Sequence, residues 1–134
     1  MLTGVLSDLI FLIRPLFLRS IETSPALKKV LIKSQEWKNS NNLMYVVGAT
    51  KASFLKDVRL IVPNSFLLVP GVGAQGGSLE DTFKNGVNDQ IGILVNSSRS
   101  ILYAGNDQNF LKKSYEEAKK IQSKMSVLLN NIND

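Results

Sequence analysis

The chain has no cysteine and no histidine among its 134 residues. Their absence excludes a disulfide framework, a thiol nucleophile and the Cys/His sets that hold zinc, so no metal site is expected. Long hydrophobic runs are scarce as well. The most apolar stretch, residues 9–18, falls short of the roughly 20 residues that a membrane-spanning helix needs, and Arg14 and Pro15 interrupt it. No positive charge precedes it and no small-residue cleavage pattern follows, which fits a secretory signal poorly. It is read as buried structure or as a segment whose proper partner is missing, with no membrane association, and the lack of cysteine points to the cytoplasm. The net charge of +5 comes from Lys and Arg spread along predicted helices. A solvated basic face is therefore expected, without a nucleic-acid partner.

What is present is the composition of an ordinary folded domain, with 44% hydrophobic and 20% charged residues. Ser24-Pro25 followed by Leu27, Val30, Leu31, Ser34 and Trp37 predicts a capped helix over 25–37. The turn residues 39–42 lead into an apolar run at 43–47, read as a strand buried on both faces. Phe54, Leu55, Val58, Ile61 and Val62 restore a helical period until Pro63-Asn64 stops it before a second strand at 66–69. Ser78, with Asp81 three residues on, opens a short helix that Gly86 ends, and a third buried strand is expected at 91–95. From Asp107 as N-cap, Leu111, Tyr115, Ala118, Ile121, Met125 and Leu128 mark a long amphipathic helix with its stripe in the core. Strands alternating with helices argue for an α/β architecture around a parallel sheet. The strand spacing suits (β/α) barrel units, although a full barrel takes about 250 residues.

Chemistry concentrates in two consecutive loops. Residues 70–78 leave the carboxyl end of a strand with four glycines, which let the backbone approach a ligand and aim amides at it. The next strand ends in Asn96-Ser97-Ser98-Arg99, bringing hydroxyls and a guanidinium that grips phosphate oxygens in pairs. Phosphate sites of barrels are frequently built from two such neighbouring loops.

Three blocks carry a resemblance. They are Met44-Tyr45-Val46-Val47-Gly48-Ala49-Thr50-Lys51, then Phe66-Leu67-Leu68-Val69-Pro70-Gly71-Val72-Gly73-Ala74-Gln75-Gly76-Gly77, then Val95-Asn96-Ser97-Ser98-Arg99 with Ile101-Leu102-Tyr103-Ala104. In wording, order and spacing they resemble the carboxyl-terminal part of the bacterial type 2 orotidine 5′-phosphate decarboxylases. The likeness begins near Lys29, includes Ser34-Gln35-Glu36-Trp37 and runs to about Leu128. It implies the carboxyl-terminal half of a (β/α)8 TIM barrel of the ribulose-phosphate-binding type over 29–134, with 1–28 an unmatched segment. It also implies a homodimer that converts orotidine 5′-phosphate to uridine 5′-phosphate in pyrimidine biosynthesis, without a cofactor. Carried onto this chain, Gln75 lies in the loop that closes over the phosphate and reaches the pyrimidine, and Arg99 binds the phosphate. Pro70 packs beside the base, and Gly71, Gly73 and the backbone around Ser98 complete the cradle.

The resemblance also exposes a gap. The family protonates the carbon that loses carbon dioxide with a lysine held in an Asp-x-Lys-x-x-Asp pattern, and this sequence does not contain one. Lys56-Asp57 stands on a predicted helix, and the lysines of the final helix lie on its polar side. Glu22-Thr23-Ser24-Pro25 could pass for a remnant of the family's Thr-Ser-Asn segment, but helix capping already accounts for Ser24-Pro25. No catalytic residue is therefore assigned, and the chain by itself is expected to be inactive. A half-barrel would leave an apolar edge uncovered, so pairing with an amino-terminal half is expected. The alternative is a phosphate- or nucleotide-binding module without catalysis.

Overall fold

The computed structural model describes residues 25–132. Ser24, the expected N-cap, and the apolar run 9–18 lie outside the described residues. Pro25, whose fixed φ suits a first helical turn, begins α1 (Pro25–Gln35). This helix ends two residues earlier than the pattern predicts, and Asn39 in the left-handed region then turns the chain through a short 3-10 segment at Ser40–Asn42. There follow β1 (Met44–Val46), a second 3-10 turn at Ala49–Lys51, α2 (Ser53–Ile61), β2 (Phe66–Pro70) and α3 (Leu79–Gly86). After them come β3 (Ile93–Asn96), α4 (Ser98–Leu102) and α5 (Phe110–Asn130). Among the described residues no helix is long and apolar enough to cross a membrane.

The strands form one parallel sheet in the order β1-β2-β3, each beside its neighbour in sequence. Residues paired across parallel strands share a face. Tyr45, Leu67, Val69, Ile93 and Val95 therefore point one way, toward Leu31 of α1, Leu55 and Val58 of α2, and Leu79 and Phe83 of α3. Met44, Val46, Phe66, Leu68, Pro70, Leu94 and Asn96 point the other way, where Met44 and Leu94 are 42% and 54% exposed. The expectation of strands buried on both sides is thus corrected. The helices cover one face, and no described layer covers the other.

Two further boundaries move. The third strand starts at Ile93, because Asn88 and Ile91 exchange backbone bonds in a tight turn that gives Ile91 a φ of 70°. The last helix starts at Phe110, since Asp107 acts three residues earlier. Its Oδ1 accepts from the Asn109 N–H at 2.9 Å and it pairs with Lys113 at 2.8 Å. Only the later half of the α5 stripe, at Ile121, Met125, Leu128 and Leu129, packs on the core. Leu111 and Tyr115 are 69% and 68% exposed, with no described strand beyond β3 for them to cover.

Polar groups fasten the layers. The Tyr45 hydroxyl meets Ser34 Oγ at 2.7 Å and accepts from Gln35 Nε2 at 2.6 Å, which tethers α1 to the edge strand and satisfies a serine on the buried face. Arg59 on α2 has no carboxylate partner among the described residues. It donates from Nε to Gly86 O at 2.6 Å, from Nη1 to Ser65 O at 2.6 Å and from Nη2 to Gly92 O at 2.8 Å. Burial pulls its guanidinium below the ordinary arginine range. Thr82 on α3 is fully buried, and its Oγ1 has no hydrogen-bond partner among the described residues. Thr82→Val keeps the branched shape and removes the stranded hydroxyl, so it should stabilise the fold by about 1 kcal/mol. A rise in the urea midpoint at constant m-value is the check.

Candidate functional site

The parallel strands deliver three chain segments to one end of the sheet: the turn after β1, the glycine-rich loop after β2 and the start of α4 after β3. The loop is tied to itself. Gly73 N–H donates to Gly77 O at 2.9 Å, Gly76 N–H to Gly73 O at 2.8 Å and Gly77 N–H to Gly71 O at 3.1 Å. Gly71 N–H donates across the sheet to Asn96 O at 3.2 Å. A Cβ on Gly77 would lie 2.5 Å from Ala49 Cβ and 2.6 Å from Gly71 O, so only glycine lets the loop close against the turn after β1. After the loop, Ser78 accepts from the Asp81 N–H at 3.0 Å and caps α3, as its spacing predicts. Glu80 in the first turn is held below the usual carboxylate range, chiefly by its own backbone N–H and further by Lys124 and Ser78.

The residues singled out from sequence come to the same end of the sheet. Pro70 ends β2 opposite Asn96 on the uncovered face. Gln75 is exposed at the loop tip and its side chain folds back over Gly71, since a Cβ built there would stand 3.5 Å from Oε1. Ser98 opens α4, its N–H and Oγ both donating to Asn96 Oδ1 at 3.1 and 2.6 Å. Arg99 follows on the same turn, exposed, with no partner for its guanidinium among the described residues. The amides of Gly71 and Gly73 are engaged within the fold, so these glycines shape the loop. A shallow cavity of about 370 Å³ lies beside these segments, lined by Leu68, Leu94, Asn96, Ser97, Ile101 and Leu102.

Sequence reasoning does not single out Ser97 and Ser100 as a pair. Ser97 Oγ donates to Val72 O at 2.8 Å and lies 3.1 Å from Ser100 Oγ, which accepts from the Ala74 N–H at 3.0 Å. Their one signal is the three-residue spacing, which puts both hydroxyls on one side of a helical turn.

No protein-family model matches the chain. Individual proteins do. Orotidine 5′-phosphate decarboxylase of Flavobacterium johnsoniae is 58% identical over 103 residues, covering 77% of this chain and 38% of the relative. That of Phocaeicola vulgatus is 55% identical over 102 residues, covering 76% and 38%. The chain is homologous to part of the orotidine 5′-phosphate decarboxylases. It spans about 38% of the length of these relatives. Among solved structures, OMP decarboxylase of Leishmania donovani superposes with a TM-score of 0.56 at 27% identity, over 78% of this chain and 40% of that one. UMP synthase of the same organism gives 0.58 at 29% identity, over 79% and 24%. The three parallel strands in sequential order match part of the decarboxylase barrel.

Proposed function

We propose that this chain supplies the phosphate-gripping sector of an orotidine 5′-phosphate decarboxylase, with Arg99 and Gln75 closing on the phosphate of orotidine or uridine 5′-phosphate. The observation that carries this reading is the Arg99 guanidinium, unpartnered among the described residues, on a turn hydrogen-bonded to the loop bearing Gln75. A planar cation held ready beside a closed glycine loop suits a dianion. Pro70, on the uncovered face, takes the place beside the base, and Ser98 and the loop glycines Gly71 and Gly73 set the walls. On this reading residues 29–134 form the barrel portion and 1–28 stand apart from it. The proposed place of action is the cytoplasm, since a chain without cysteine gains nothing from an oxidising compartment.

Decarboxylation requires more than this sector. Contacts to the remote phosphate close a site over the reacting base, but the proton donor comes from an Asp-x-Lys-x-x-Asp segment that this sequence lacks. The uncovered apolar face, with Met44, Phe66 and Leu94, favours completion by a polypeptide that bears the missing strands, the finished barrel then pairing as a dimer. Two measurements test the proposal. Uridine 5′-phosphate should bind saturably in a calorimetric titration, and Arg99→Ala should weaken binding about tenfold to a hundredfold, the value of charge-assisted bonds to phosphate. Absence of saturation at millimolar ligand would sink the phosphate reading. Co-expression with an amino-terminal half carrying the Lys/Asp pattern should yield turnover of orotidine 5′-phosphate, whereas the chain alone should show none.

A further inference from the structure

We propose that Ser100 is a positioning residue whose hydroxyl, together with that of Ser97, clasps the backbone on both sides of Gly73 and holds the Gln75 loop in register with Arg99. Its consequence for ligand uptake rests on the phosphate reading above. Ser97 has one hydroxyl hydrogen, and Val72 O at 2.8 Å is the nearer and better acceptor for it. The same hydroxyl also donates toward Ser100 Oγ at 3.1 Å, and Ser100 Oγ accepts from the Ala74 N–H at 3.0 Å. The two hydroxyls thus bridge Val72 O and the Ala74 N–H, with the Ser97 hydrogen shared between Val72 O and Ser100 Oγ. Ser97 is buried, where a hydrogen bond is electrostatically stronger than in water.

The clasp starts and ends on the groups flanking Gly73, as a partner strand would. A Cβ at Gly73 would lie 2.6 Å from Ser100 Oγ, and its φ of 83° favours glycine, so the loop is built to admit the serine. Ala74 is joined to Gln75 and Ser100 to Arg99, so each end of the clasp sits one peptide from a residue proposed to meet the phosphate. The hydroxyl itself need not touch ligand. It fixes the angle from which the two arms approach.

Amide hydrogen exchange on the full chain, read by NMR, tests the clasp apart from global stability. Ser100→Ala should speed exchange of the Ala74 amide at least tenfold. The Leu67 amide, bonded to Gly92 O inside the sheet, should keep its native rate. Affinity for uridine 5′-phosphate should fall about fivefold in Ser100→Ala, and Ser100→Thr, which keeps the hydroxyl, should restore both readouts. An unchanged Ala74 rate, equal acceleration at Ala74 and Leu67, or an Ala74 response with undiminished affinity overturns the proposal. If the native chain takes up no uridine 5′-phosphate, the phosphate reading fails, and Ala74 exchange alone decides whether the clasp exists.

Discussion

Arg59→Ala should lower the stability of the fold by about 3 kcal/mol, a large share of the roughly 5 to 15 kcal/mol that holds a domain together. The three short bonds from Arg59 end on Gly86 at the close of α3, on Ser65 just before β2 and on Gly92 just before β3. Longer ones reach Val62 O at 3.4 Å and Pro63 O at 3.3 Å, past the end of α2. One guanidinium thus answers the carbonyl ends of two helices, where the helix dipole favours a cation, and fixes the starts of two strands. Alanine strands several partly buried acceptors at once, each costing about 1 to 3 kcal/mol less whatever water recovers. Arg59→Lys should retrieve only part of the loss, since a single ammonium cannot span the fork. Urea unfolding at constant m-value reads the difference, and a midpoint within error of the native one would show that water replaces the staple.

Gly77→Ala should be comparably damaging, by about 3 kcal/mol, for a steric reason. The new methyl would sit 2.5 Å from Ala49 Cβ and 2.6 Å from Gly71 O. Both belong to buried, backbone-anchored positions that cannot swing aside. Gly76, one residue earlier, is the internal control. Its φ is +85° but nothing stands within 4 Å of a built Cβ, so Gly76→Ala should cost only the left-handed strain, about 1 kcal/mol. If the two variants unfold at the same denaturant concentration, close approach is not what glycine supplies at position 77. If Gly77→Ala is much the weaker, the fit of the loop to the turn after β1 is confirmed.

How much of this was legible beforehand depended on the reach of each interaction. The α2 and β2 segments and the Ser78 cap rest on neighbours in sequence, where periodicity and capping rules find them. Arg59 reads as an ordinary polar helix residue, because its acceptors lie up to 33 positions away. The Ser97-Ser100 clasp is equally silent, since its other half is a backbone that any sequence could supply. The strands misled differently. Continuous apolar runs correctly signal a parallel sheet, but an apolar residue on the uncovered face looks no different in sequence from one against the helices. Leu94 and Leu67 share a residue type and differ only in which face they occupy.

The sequential order of the sheet bears on how the fold is reached. Among the described residues each strand hydrogen-bonds only to the strand before or after it, and Arg59 joins α2 to the end of α3 and the start of β3. Closing such short loops costs little chain entropy, whereas pairing the first and last strands of a closed barrel is a distant contact that must wait. Residues 25–132 thus have the makings of a cooperative unit that assembles early and presents a finished edge as a template. If the proposed amino-terminal half completes the barrel, closure becomes a docking event between preformed parts, with a rate that responds to the concentration of the other part when the two are separate chains.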